Sequence, residues 1–314
     1  MAPLRTLGFA SLTPRVLEFL ERNKIVTGMI FALVGDFVSQ ELDSGVEDPE
    51  IQKFKSELAT FLEECHGKWE NGDEMLQKNL QAGSLSTGFE SLDSLLKGGL
   101  KDGTITELVG PSSSGKTQLC MHSAACVAYH HKFSVAYVDA SSSFSAERVL
   151  QMMCGRRCSS IAIEDDVKEA MRRIFCFKVY DVHGLLEVLH SLYDPASSFP
   201  GPVHLRLVIV DCLASVLSPI LGGNNAQGHT LMMSVAQILK SIAINRNICV
   251  LITNNTVAAE DEELKPALGE SWKSVPHVRL MLAKDHDNNS CTVTLLKHTS
   301  LACDAEVTFC FDRG

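Results

Sequence analysis

The chain reads as an α/β protein. A nucleotide-binding core on a mostly parallel central sheet follows a small all-helical N-terminal domain. Three observations predict this. Residues 110–117, Gly110-Pro111-Ser112-Ser113-Ser114-Gly115-Lys116-Thr117, match G-x-x-x-x-G-K-[ST] in full. From residue 84 onward, stretches of strand composition alternate with stretches of helix periodicity. The apolar run Leu205-Arg206-Leu207-Val208-Ile209-Val210 ends on Asp211, the pattern of a strand buried on both faces that delivers a carboxylate to its C-terminal end.

Taken in order, residues 1–66 form the helical domain. Thr13 is placed to cap a helix whose first position is Pro14. Residues 25–42 and 49–65 give two further helical patterns, the last with Phe54, Leu58, Phe61 and Leu62 at helical spacing. Such a bundle is either plain structure or a docking module, and docking is the reading carried forward. Residues 67–83 are polar and punctuated by glycine, as in a linker. Residues 84–314 are the core. Its strands are expected at 104–109, 134–139, 205–211, 248–253, 278–283, 291–297 and 305–311. Its helices are expected at 116–131, 145–155, 164–173, 183–192 and 229–245. The last three strands follow one another without room for helices, which predicts an antiparallel meander at one edge.

The 314 residues suffice for one large interior plus a small domain, and 45% are hydrophobic. No apolar run reaches the ~18–20 residues of a membrane span, and the N-terminus lacks the apolar stretch of a secretory signal. The eleven cysteines show no paired zinc spacing; Cys154 and Cys158 stand alone as a close pair. Reduced thiols acting as small hydrophobes are expected. Net charge is −10, from 28 basic and 38 acidic residues. The longest basic clusters are Arg156-Arg157 and Arg172-Arg173, so no basic footprint for nucleic acid is visible. Any DNA contact must be local, weak or shared with a partner.

The chemistry sits where strand 104–109 meets helix 116–131. A strand, a glycine loop and a helix N-terminus aim successive backbone N–H groups and the positive end of the helix dipole at an anion. Gly115 lets the backbone approach the ligand. Lys116 reaches for the β/γ-phosphates, the Thr117 hydroxyl completes a Mg²⁺ shell, and Gln118 follows in the first turn. Asp211 is placed to hold the Mg²⁺ through water. Strand 134–139 ends on Asp139 and runs into Ala140-Ser141-Ser142-Ser143. Hydrolysis needs a group that orients or deprotonates water, and serine is a poor base. The binding half of the chemistry is present and the hydrolytic half is impaired.

Together these residues resemble the RecA-type recombinases. The likeness runs from residue 84 to about 311. It rests on the glycine-rich entry Leu85 to Leu100, the helix start Phe144-Ser-Ala-Glu-Arg148-Val-Leu150, and the strand end Leu251-Ile-Thr-Asn254. The run from Leu264 to Leu280, with Lys265-Pro266, Gly269, Ser271-Trp272 and Pro276, is similar to the eukaryotic recombinase paralogues. The resemblance implies a RecA-like P-loop ATPase core that binds ATP with Mg²⁺ at a subunit edge. It further implies a nuclear role in homologous-recombination repair of DNA breaks, within a hetero-complex of paralogues that assists recombinase assembly on single-stranded DNA. It aligns Arg148 with an arginine that packs on the adenine; a solvated helix arginine is the alternative. The family's catalytic glutamate falls at Ser141 and its γ-phosphate-sensing glutamine at Asn255. Weak intrinsic hydrolysis is therefore expected. The family's self-polymerisation motif is not visible in residues 67–83.

The resemblance also implies two DNA-facing loops. The first spans about Ser218 to His229 and holds no Lys or Arg. It is either a Gly/Asn loop offering backbone N–H groups or a flexible solvated loop. The second spans Thr256 to Ser271 and holds Glu260-Asp261-Glu262-Glu263 against the single lysine Lys265. Carboxylates facing phosphates repel. A competing reading is an active DNA-dependent ATPase motor, a helicase or strand-exchange enzyme; it requires a carboxylate at position 141 and basic loops. A small-molecule phosphotransferase requires an arginine-rich lid, and none is visible.

Overall fold

The computed structural model describes residues 13–22, 49–54, 56, 71–154, 165–193, 204–222, 226–258, 264–285 and 290–311. The chain divides into two compact units, Met1–Leu80 and Gln81–Gly314. In the first, helix α1 (Pro14–Arg22) begins where Thr13 caps it: Val16 N–H donates to Thr13 Oγ1 at 3.4 Å. Val16 is buried, as are Ile51 and Phe54 of the helical residues 49–54. The expected helix at 25–42 and the remainder of 49–65 lie outside the described residues. Part of the expected linker is helical: α2 covers Gly72–Gln81. Its start is written in polar residues, since Asn71 Oδ1 accepts Glu74 N–H at 2.9 Å and Asp73 and Glu74 oppose the helix dipole.

The second unit opens with a two-stranded antiparallel pair, β1 (Ser84–Leu85) and β2 (Leu100–Lys101), around helix α3 (Glu90–Leu95). Then β3 (Ile105–Gly110), α4 (Lys116–Tyr129), β4 (Ser134–Asp139), α5 (Ala146–Cys154), α6 (Asp165–Arg172) and β5 (Ile174–Lys178) alternate. They are followed by α7 (Val182–Tyr193), β6 (Leu205–Asp211), α8 (Leu213–Leu217), α9 (Ala226–Arg246), β7 (Cys249–Ala258), β8 (Leu264–Pro266) and α10 (Gly269–Trp272). The chain ends in β9 (Val278–Asp285), β10 (Ser290–Lys297) and β11 (Glu306–Cys310). The main sheet runs β11-β10-β9-β3-β7-β6-β4-β5, with β8 paired to β7. Pairs from β9 through β5 are parallel and β9-β10-β11 is antiparallel, the expected meander.

Strand alternation feeds two cores. In β4, β6 and β7 the residues Val135, Tyr137, Leu207, Ile209, Cys249 and Leu251 face one cluster, with α4 and α5; Ala136, Val138, Val208, Val210, Val250 and Ile252 face the other, with α7 and α9. Helices on both sides explain why these strands read as continuous apolar runs. Helix α4 is small and apolar around its circumference because it is buried under α5 and α6 as well as against the sheet.

Three sequence expectations change. Strand β5 was not foreseen; the single turn residue Arg173, whose N–H donates to Ala170 O at 3.0 Å, separates it from α6. The first expected DNA loop is largely structured: Ser218–Ile220 form a 3₁₀ turn and α9 already starts at Ala226. A Cβ on Gly228 would stand 1.9 Å from Ile220 O, so this glycine permits close packing of helix on turn, not loop freedom. The second expected loop is a hairpin plus a turn of helix. β7 extends to Ala258 and pairs with β8 through Thr256–Pro266 and Val257–Lys265, and Trp272 of α10 is fully buried in the core. Glu260 to Glu263 lie outside the described residues. Buried thiols, among them Cys120, Cys212, Cys249 and Cys291, are free, as expected of small hydrophobes, whereas Cys154 is disulfide-bonded.

Candidate nucleotide-binding site

The sheet's parallel order puts the C-terminal ends of β3, β4, β6 and β7 side by side, with Asp139 opposite Asp211 and Gly110 opposite Asn255. Gly110 to Thr117 cross from β3 to α4. The turn requires positive φ at Ser113 (64°) and at Gly115 (99°), the residue that caps α4. Among the described residues no side chain caps this helix N-terminus. Pro111, Ser112 and Ser113 are exposed on the loop and Ser114 is buried. Among the described residues, Ser114 Oγ is a buried polar atom without a partner.

Lys116 is 7% exposed and folds back over the loop, its Nζ donating to Gly110 O and Pro111 O at 2.8 Å each. Burial pushes its pKa down, and the nearby acidic groups of Cys212, Asp211 and Cys120 push it back up. Two carbonyls thus occupy an ammonium whose natural partner is an anion. Thr117 is half-buried one residue further along. Asp211 is buried and held in place: Thr253 Oγ1 donates to its Oδ1 at 2.6 Å and Tyr137 Oη to its Oδ2 at 2.9 Å. An uncapped helix N-terminus, a buried cation, a half-buried hydroxyl and a fixed carboxylate together suit the tail of a nucleoside triphosphate with Mg²⁺.

Asp139 is engaged by backbone N–H groups instead. Its Oδ1 accepts Ser141 N–H at 3.2 Å and Ser143 N–H at 3.1 Å, and its Oδ2 accepts Phe144 N–H at 3.1 Å. It shapes the turn after β4 and is not poised as a base. Ser141 is exposed, its hydroxyl 2.6 Å from that of Ser143. Asn255 is exposed beside Gly110, its carbonyl accepting Ala267 N–H at 2.8 Å. Arg148, on α5, comes together with Gln118 on α4: Nε donates to Gln118 Oε1 at 3.1 Å, and Nη1 to Gln151 Oε1 at 3.1 Å. Gly110 to Gln118, Asp139, Ser141, Asp211 and Asn255 therefore lie at this one end of the sheet, and Arg148 on the helix that follows β4. Sequence reasoning missed Tyr137 and Thr253, which orient Asp211. The available signal was a hydrogen-bonding side chain two residues before or within an apolar strand end.

Residues 78–311 match Rad51. The chain belongs to the Rad51 family. The bovine "DNA repair protein RAD51 homolog 4" is 39% identical over 211 residues, covering 66% of this chain and 63% of that protein. The Dictyostelium discoideum "Probable DNA repair protein RAD51 homolog 4" is 32% identical over 251 residues, covering 69% and 71%. The chain thus matches less than two thirds of the bovine relative's length. Among solved structures, the "RadB recombinase" superposes with a TM-score of 0.59 at 28% identity, covering 72% of this chain and 94% of that one. Members of the Rad51 family are ATP-binding proteins.

Proposed function

We propose that this Rad51-family chain is an ATP-binding recombinase paralogue in homologous-recombination repair of DNA breaks. It acts in the nucleus as a subunit of a hetero-complex that helps a recombinase assemble on single-stranded DNA. Nucleotide binding governs its assembly, and intrinsic hydrolysis is weak. ATP is held by Gly110 to Gln118 and by Arg148, and Mg²⁺ by Thr117 and, through water, Asp211. One observation carries the reading: the glycine loop, the buried Lys116 and the fixed Asp211 share one end of the sheet, yet the turn after β4 offers serine hydroxyls, with Asp139 engaged by three backbone N–H groups. The bound Mg·ATP would supply the charge that draws Lys116 off its two carbonyls. This chain's own residues then position the triphosphate without activating water against it.

The relatives named for DNA repair support the repair role. The small N-terminal unit supports a docking role, with residues 1–66 as the partner-binding module and 67–83 as the connector. The motor reading gains no support, because Ser141 supplies no carboxylate. Steady-state ATPase, measured with and without single-stranded DNA alongside nucleotide binding, tests the proposal. Tight Mg·ATP binding with turnover far below one per second is expected. Turnover above roughly one per second, the low end of ordinary enzymes, would favour the motor.

A further inference from the structure

The nucleotide loop has a rear wall supplied by the far end of the chain. Gly115 has a left-handed φ of 99°, and the direction in which a side chain would project from it is occupied. A Cβ there would lie 2.7 Å from Phe311 Cε2 and 3.1 Å from its Cζ. What the missing side chain makes room for is therefore an aromatic ring, that of Phe311. Phe311 immediately follows β11, the outermost strand on the side where β10 and β9 separate it from β3.

The ring is itself fixed. Phe311 is 7% exposed and meets Phe89 edge-on at 5.5 Å and Phe309 edge-on at 5.4 Å. Phe89 is stacked between Phe309 at 4.1 Å and His122 at 4.2 Å. His122 belongs to α4, and its Nδ1 donates to Thr87 O at 3.1 Å. The aromatic group thus touches α4 twice, at the glycine that caps it and again at His122. Offset and edge-to-face aromatic contacts are directional, so the group fixes both the conformation of Gly115 and the axis of the helix whose N–H groups face the phosphates.

We propose that Phe311 is a positioning residue for nucleotide binding, holding Gly115 in the left-handed conformation from which α4 presents its N-terminus. It rests on the nucleotide reading given above. Coupling of this kind is reciprocal: if the ring steadies the loop, bound nucleotide steadies the ring's strand.

The test compares Phe311→Ala, Phe311→Leu and Phe309→Ala in the full chain, titrated with Mg²⁺ and a fluorescent N-methylanthraniloyl-ATP. Both alanine variants remove an aromatic ring from the same cluster, but Phe311 is the ring that lies against Gly115 of the loop. Phe311→Ala is expected to weaken binding roughly tenfold, about 1.4 kcal/mol. Phe309→Ala should leave affinity near wild type despite a lower melting temperature, and Phe311→Leu should restore most of it. Equal affinities for Phe311→Ala and wild type, or equal losses in the two alanine variants, would overturn the proposal. Should Phe311→Ala not fold, hydrogen exchange on wild type decides: nucleotide must slow exchange of the β11 amides, and unchanged exchange refutes the coupling. A wild-type chain that binds no nucleotide is a different result, which removes the functional reading itself.

Discussion

Lys116 sits in a place that works against a positive charge. Burial lowers its pKa, and it is steadied by two backbone carbonyls at 2.8 Å and by the acidic groups around it. Exchanging those carbonyls for phosphate oxygens replaces neutral acceptors by charged ones, worth about 1.5–3 kcal/mol per hydrogen bond. Lys116→Ala should therefore weaken Mg·ATP binding by roughly one to two orders of magnitude in calorimetry. Unchanged affinity would mean that the loop no longer serves a ligand. Ser141 offers the complementary experiment. It is exposed, so a carboxylate fits there without a desolvation cost, while Asp139 beside it is committed to backbone N–H groups. Ser141→Glu should raise ATP turnover by roughly a hundredfold or more, the usual contribution of a placed general base. If turnover stays flat with binding intact, the defect lies elsewhere in the site, Asn255 being the next residue to restore.

Among the elements, the central strands are tied by a charge buried inside the sheet. Glu107 on β3 accepts Asn254 Nδ2 from β7 at 2.9 Å and pairs with Arg279 Nε from β9. Glu107, Asn254 and Arg279 are all at most 5% exposed. Removing one partner strands the other in a medium that cannot solvate it. Arg279→Met should lose about 3–5 kcal/mol in urea denaturation, and adding Glu107→Met should recover most of it. A neighbouring contact adds a pH dependence. His277 Nδ1 accepts Ile105 N–H at 3.0 Å, and burial, reinforced by Lys240 and Lys297, holds its pKa below 6.5. The folded state thus binds fewer protons than the unfolded one. The stability of this contact is whole above the unfolded value and is lost as pH falls through the folded value. The urea midpoint should drop between roughly pH 7.5 and pH 5.5 and drop less in His277→Asn, whose carbonyl can accept the same bond without titrating. An identical acid loss in the variant would assign the effect to His190 or His298, whose pKa values burial also lowers.

These elements also show what the amino-acid order makes legible. The strand–loop–helix at 105–129 is readable because phosphate chemistry fixes residue identity at four places in eight. The buried strands are readable because two apolar cores leave them no polar face. β5 escaped because its half-buried edge position gives neither strict alternation nor a continuous run, and the turn before it is made by an arginine, with no glycine or proline to announce it. The β7–β8 hairpin escaped because it leaves the core, where side-chain burial no longer dictates pattern. Phe311 looked like any core aromatic at a strand end; only the fold reveals that it abuts Gly115.

At the scale of the whole molecule, charge decides how the chain can meet DNA. It carries −10, and the structured remnants of the two expected DNA loops add little that is positive. The first is a 3₁₀ turn running toward α9, with no Lys or Arg from Ser218 to His229. The second is a hairpin whose basic member is Lys265. Binding to single strands releases about 0.7 counterions per phosphate neutralised, so affinity from a few contacts falls shallowly with salt. The isolated chain should therefore bind single-stranded DNA weakly, with a log–log salt slope smaller in magnitude than about 2, fewer than about three phosphates' worth. Assembly with paralogue subunits that bring their own basic surfaces should steepen that slope and raise affinity together, while Lys265→Ala in the isolated chain should flatten it by less than about 1. Anisotropy titrations of a labelled oligonucleotide across a salt series read all three quantities. A steep slope for the chain alone would place a basic DNA surface on this molecule and move DNA capture from the assembly to the subunit.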